Sequence, residues 1–254
     1  MKIRSAQTYD DAVFVNHFYD RVSIAAKTGL TKYLFFLDER QQLLLERLSP
    51  ENYGCSLALY GGYEGAVRKM AAVYPSDAKT RPEYPVSAAS YYFKPEAALT
   101  HRDFLGSIMS RNIKRELVGD ILVESDRCVV FCHQNALSVL LHEIDKIGRW
   151  GVRCEQGFSG ELPAPFKLQS RVINVSSLRA DCVVSTLAGV GREKALQLIS
   201  QDLVSVNYQN IEKPAYLLHF GDILTIRGHG KFILDSQLAV TKKGRLSLSV
   251  NQYV

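Results

Sequence analysis

Residues 175–209 read VSSLRADCVVSTLAGVGREKALQLISQDLVSVNYQ, and the organisation of the chain follows from that stretch outward. Leu178, Cys182, Val183 and Leu187 recur at helical spacing, and Ser177 is the expected cap of that helix. Gly189 and Gly191 break the pattern before GREKALQLIS (191–200) restarts it, with Ala195, Leu198 and Ile199 on the buried face. LVSVN (203–207) alternates as a strand, and HFGDILTIRGHGKF (219–232) carries a Gly-Asp turn into another, ILTIR. Arg192 and Lys194 stand in the first turn of the second helix, where the macrodipole ordinarily favours acids. A helix start that combines cations with free backbone N–H groups attracts phosphate.

The charge is distributed to match. The 254 residues hold 31 Lys and Arg against 26 Asp and Glu, a net charge of +5. Residues 1–84 contribute +1, residues 85–170 contribute 0 and residues 171–254 contribute +4, so the excess sits where the helix pair lies. Hydrophobic residues at 46% and charged residues at 22% describe an ordinary globular chain and exclude a disordered or collagen-like one. The length suggests two or three modules.

The middle third follows a β-α-β-β-α-β rhythm. SAASYYF (87–93) is the first strand, Thr100 and Asp103 make a capping box for HRDFLGSIMSR, and GDILV (119–123) with CVVFC (128–132) forms a hairpin. Asn135 is the expected cap of the next helix, and VRC (152–154) closes the set. This is the ferredoxin-like split βαβ plan that RRM domains share. Tyr91 and Phe93 share one strand face and Phe131 is the lone aromatic of the third strand; with no RNP1 glycine, these read as core rather than as a stacking platform. Arg111, Lys114 and Arg115 could meet phosphate or form a solvated loop.

The first third reads as mainly helical. Val13, Val15, Phe18, Val22 and Ile24 mark one helix, a second follows Asp38, and GGYEGAVRKMAAVYP (61–75) reads as a glycine turn feeding a third. The polar segment 76–85 separates this region from the next. The resulting expectation is an α+β chain of three domains: 1–80 mainly helical, 81–170 RRM-like, and 171–254 the basic helix-pair domain with a C-terminal hairpin.

No leader peptide is expected from the first twenty residues, and no run of 18 apolar residues predicts a membrane span. The five cysteines lack CxxC spacing and read as buried thiols; no metal and no cofactor is expected. His229 has no paired carboxylate or nucleophile at a spacing that would make it a catalytic base.

LRAD (178–181), GREKALQLI (191–199), VSVN (204–207), KP (213–214) and GDILTIRGHGKF (221–232) together resemble the S4 (αL-type) RNA-binding domain. FLDERQ (36–41), GGYEGAVRK (61–69), THRDFLGSIM and IKRELVGDI (100–121) and KKGRLSL (242–248) extend the resemblance to nearly the whole chain, which is similar to the bacterial YlmH family. Gly191 stands where S4 domains usually have serine, and Val67 where the family usually has glutamate. The resemblance implies that Arg179, Arg192, Lys194 and Asn207 face RNA and that Asp181 orients the arginine. Lys213, Arg227, His229 and Lys231 complete the candidate RNA-binding set. It further implies a non-catalytic, cytoplasmic protein bound to structured RNA, either ribosomal RNA of the large ribosomal subunit or tRNA, with a role in rescue of stalled subunits. A division protein as partner, with incidental RNA binding, is the alternative. An RNA-modifying enzyme is weaker, because GRLSL (244–248) has serine where a synthase of that kind would carry its aspartate.

Overall fold

The computed structural model describes residues 9–253, and its contacts divide the chain into two units that meet between Pro165 and Phe166. In the first unit, α1 (Tyr9–Thr28) carries Asp10 and Asp11 in its first turn and Lys27 in its last, the arrangement the macrodipole favours. It buries Phe18, Val22 and Ala25 against a three-stranded antiparallel sheet. β1 (Lys32–Leu37) and β2 (Cys55–Tyr60) flank β3 (Lys69–Pro75), and α2 (Glu39–Leu45) lies between β1 and β2 in sequence. Asp38 caps α2, accepting from Gln41 N at 2.8 Å while Gln41 Oε1 accepts from Asp38 N at 3.0 Å.

Two expectations are corrected here. Lys69–Pro75 is a strand, not a helix, and Lys32–Leu37 is a strand as well, so the region expected to be mainly helical carries a sheet. β3 is paired on both edges, and Met70, Ala71, Ala72 and Val73 are all fully buried. A strand buried on both faces has a continuous apolar run, which periodicity cannot tell from a short buried helix.

The second sheet of this unit comprises β4 (Val86–Tyr92), β5 (Val118–Val123), β6 (Arg127–His133) and, after a ribbon of β7 (Lys146–Ile147) and β8 (Trp150–Gly151), β9 (Arg153–Gln156). α3 (His101–Met109) connects β4 to β5, and α4 (Gln134–His142) follows β6. The order β5-β6-β4-β9 is antiparallel throughout, the arrangement of a split βαβ unit. Tyr91, Phe104, Ile108 and Leu140 fill the space between sheet and helices. Thr100 and Asp103 form the expected capping box. α4 is instead capped by His133, whose Nδ1 accepts from Asn135 N at 3.1 Å, because β6 runs directly into the helix and the turn falls earlier than Asn135.

Gly61 and Gly62 are there for close approach. A Cβ on Gly61 would stand 2.4 Å from Arg68 O, and one on Gly62, at φ +107°, would stand 2.4 Å from the Phe131 ring. The loop they begin is tied to β5 by buried Asp120, which accepts from the Tyr63 hydroxyl and Val67 N at 2.7 Å and from Arg68 N at 3.0 Å.

The second unit is one six-stranded antiparallel sheet under a helix pair. β10 (Leu168–Val175) precedes α5 (Ala180–Ala188) and α6 (Arg192–Ser200). β11 (Val204–Val206), β12 (Gln209–Asn210), β13 (Ile223–Ile226), β14 (Gly230–Val240) and β15 (Leu246–Tyr253) follow, in the sheet order β10-β15-β14-β13-β11-β12. Val183, Val184, Leu187, Leu198 and Ile199 pack with Leu224, Ile226, Phe232, Leu248 and Val250. Gly189 ends α5 at φ +65°, and Asp202 takes the left-handed turn after α6 at φ +56°. From Phe166 onward there are 11 Lys and Arg against 6 Asp and Glu, so this unit carries the whole +5.

Candidate nucleic-acid interface

The cap position of α5 is Arg179, not the expected Ser177, and the first N–H groups of the helix are closed by backbone: Ala180 N donates to Tyr216 O at 2.8 Å and Asp181 N to Pro214 O at 3.0 Å. Lys213 is thereby held, exposed, beside the helix start. Asp181, in the first turn, has a fully buried side chain. Its Oδ1 and Oδ2 accept from Arg179 Nε and Nη2, each at 3.0 Å, a bidentate fork. Oδ2 also accepts from Arg192 Nη2 at 2.8 Å and Nε at 3.2 Å. One buried carboxylate thus fixes two guanidinium groups, of which Arg179 stays 39% and Arg192 66% exposed.

Hydrogen bonding from Arg179 is the main reason the Asp181 carboxyl is held down to about 2, with Arg192 adding to it against the opposing effect of burial. A carboxyl whose folded value lies below its ordinary 3.8 stabilises the fold above that value and ceases to as pH falls through about 2. Asp181→Asn is therefore expected to lower the melting temperature most at neutral pH. The gap to the parent should narrow as pH is taken from about 5 to about 2. A gap that stays constant in a pH series of thermal melts contradicts the bridge.

α6 starts at Gly191 with no side-chain cap, and the N–H groups of Arg192, Glu193 and Lys194 meet no acceptor among the described residues. Lys194 is exposed in that turn, within 3.3 Å of Gln197 Oε1. Two fixed arginines, an exposed lysine and an open helix N-terminus are therefore gathered at the start of the helix pair, an arrangement suited to phosphate.

A second group forms around Lys231. Asn207 and Tyr208 make the two-residue turn between β11 and β12, both left-handed, at φ +47° and +64°. The Asn207 amide is engaged at both ends, donating to Asp222 Oδ1 at 2.8 Å and accepting from Ile223 N at 2.9 Å, so it shapes the turn that presents Tyr208. Lys231 Nζ lies 4.7 Å from the ring centroids of both Tyr208 and Tyr253. Phe166 extends the row, 4.8 Å from Tyr253. Arg227 and His229 are exposed in the turn between β13 and β14.

Tyr208, Tyr253 and Phe166 escaped the sequence reading. Tyr208 directly follows Asn207 and was the available signal; Tyr253 reaches Lys231 only through the β14–β15 register, in which Phe232 faces Gln252.

The central aromatic residues of the split βαβ sheet are covered on both faces. Tyr91 is fully buried and Phe93 nearly so, both packed on Phe104. On the opposite face Phe131 is 1% exposed, stacked under Tyr63 at 4.8 Å, with Leu162 packed beside them. Among the described residues no group of His, Cys, Asp and Glu could hold a metal ion, and no helix is long and apolar enough to cross a membrane.

Residues 89–159 match the domain described as "Putative RNA-binding domain in YlmH". The chain is 27% identical over 239 residues to the ribosome-associated protein quality control protein P2 of Bacillus subtilis (strain 168), covering 93% of each. It is also similar to a solved structure of the cell division protein ylmH from Streptococcus pneumoniae. That likeness has a TM-score of 0.50 at 24% identity, covers 61% of this chain and 94% of the other, and shows a shared fold.

Proposed function

Because the chain belongs to the YlmH family, we propose that it is a non-catalytic cytoplasmic protein that binds structured RNA of the ribosome through its second unit, acting as an S4 domain. The observation that carries this reading is the Asp181 bridge, which sets Arg179 and Arg192 at fixed positions beside the open start of α6. Guanidinium groups positioned before the ligand arrives lose little freedom on binding, and their planar forks suit phosphate. Base edges are hidden in A-form grooves, so recognition of this kind reads backbone shape. The Tyr208–Lys231–Tyr253 row adds a surface on which an unpaired base can stack. Ribosomal RNA of the large subunit is the proposed ligand, with tRNA beside it. The quality-control name of the Bacillus relative supports a part in rescuing stalled large subunits.

Sedimentation of the full chain with ribosomal subunits tests this directly. Co-sedimentation with large subunits is expected at low salt and its loss at high salt. With five or six phosphate contacts the logarithm of affinity should fall with a slope of about −4 to −5 against the logarithm of salt. Sedimentation that ignores salt, or that follows small subunits alone, contradicts the proposal.

A further inference from the structure

Arg68, at the end of the glycine loop, and Arg115, just before β5, direct their guanidinium groups at one oxygen atom. Arg68 Nε donates to Val118 O at 3.1 Å and Arg115 Nη1 to the same oxygen at 2.5 Å. Arg68 Nη2 is also bound, to Phe36 O at 2.8 Å, so its position is fixed. Two like charges converging on a single carbonyl repel one another unless an anion joins them. Among the described residues no carboxylate lies within 4.0 Å of either guanidinium. The buried Asp120 is turned instead to the Tyr63 hydroxyl and to the backbone of Val67 and Arg68. Burial, and then the neighbouring Arg68, hold the Arg115 guanidinium down to about 10, while the negative charges of Asp120 and Asp38 offset only part of this.

Both arginines open onto a cleft of about 450 Å³, a volume in the range of small-ligand sites, with Lys114 on its rim. Phe35 also lines it, 36% exposed and edge-on to His133 at 5.2 Å. The acids on its wall are Asp38, whose Oδ1 caps α2, and Glu116, exposed beside Arg115. Fixed guanidiniums beside an exposed aromatic are the elements that hold a nucleotide, the cations on phosphate and the ring beneath the base.

We propose that this cleft binds a phosphate of a single-stranded RNA segment through Arg68, Arg115 and Lys114, with the adjoining base against Phe35. The site is separate from the second unit's interface and stands without it. It gives the split βαβ unit an RNA contact at the edge formed by β5, apart from the sheet aromatics Tyr91 and Phe131, which Phe104 and Tyr63 cover.

The test is nuclear magnetic resonance of the full chain, following the arginine Nε–H signals during titration with a short single-stranded RNA, with inorganic phosphate and with a phosphoserine peptide. Saturable movement of the Arg68 and Arg115 signals is expected with RNA, and it should persist in Arg192→Ala/Lys194→Ala. Arg115→Gln should weaken that titration about tenfold or more. Should Arg115→Gln disturb the fold, Lys114→Glu, a change at an exposed position, must weaken it as well. Signals that stay still with RNA, that move only with the phosphopeptide, or that titrate unchanged in both variants overturn the proposal.

Discussion

Replacing Arg192 and Lys194 together with alanine is expected to weaken binding to ribosomal RNA on the order of a hundredfold near 0.1 M salt. The salt slope should become shallower by about two. Each side chain supplies one charge at the start of α6, and each charge-assisted bond to phosphate contributes roughly 1.5 kcal/mol or more. Folding should suffer far less than binding. Asp181 keeps both of its bonds from Arg179, and the Arg192 side chain is 66% exposed, so its removal opens no cavity in the core. Filter binding across a salt series, with a thermal melt of the same preparation, separates the two effects. Unchanged affinity and slope would remove the second unit from the phosphate grip.

Asp120→Ala is expected to be the most damaging single change to the first unit, at about 3–5 kcal/mol. The carboxylate is buried and satisfies three donors; without it the Val67 and Arg68 amides and the Tyr63 hydroxyl lose their partners. Its negative charge also offsets the two converging guanidiniums, so its loss leaves Arg68 and Arg115 less compensated. At about 2–4 °C per kcal/mol for a unit of this size, the melting temperature should drop by about 10 °C. Tyr63→Phe removes one donor only and should cost about 1 kcal/mol. Calorimetry that shows equal, small losses for both variants would mean that the glycine loop is held by packing alone.

How much of this was legible beforehand depends on the range of the interaction. The start of α2 after Asp38, the capping box of α3, and the cationic first turn of α6 are set by residues three or four apart, and the sequence displays them. β3 does not show as a strand in the sequence because a strand enclosed on both faces loses its alternation. The caps of α4 and α5 were misplaced because an incoming strand and the carbonyls of Pro214 and Tyr216 decide where those helices begin.

The sequence by itself determined the charge asymmetry, the helix pair and the residue types that can hold phosphate, since composition and local spacing need no neighbours to take effect. Only the tertiary structure decided which of those side chains act together. The joining of Arg179 to Arg192 requires a buried carboxylate between two helix starts. The Tyr208–Lys231–Tyr253 row requires strand registers that span nearly fifty residues, and the Arg68–Arg115 pair requires a glycine loop folded onto β5. Burial and register are properties of the packed chain, and both charge coupling and ring contact depend on them.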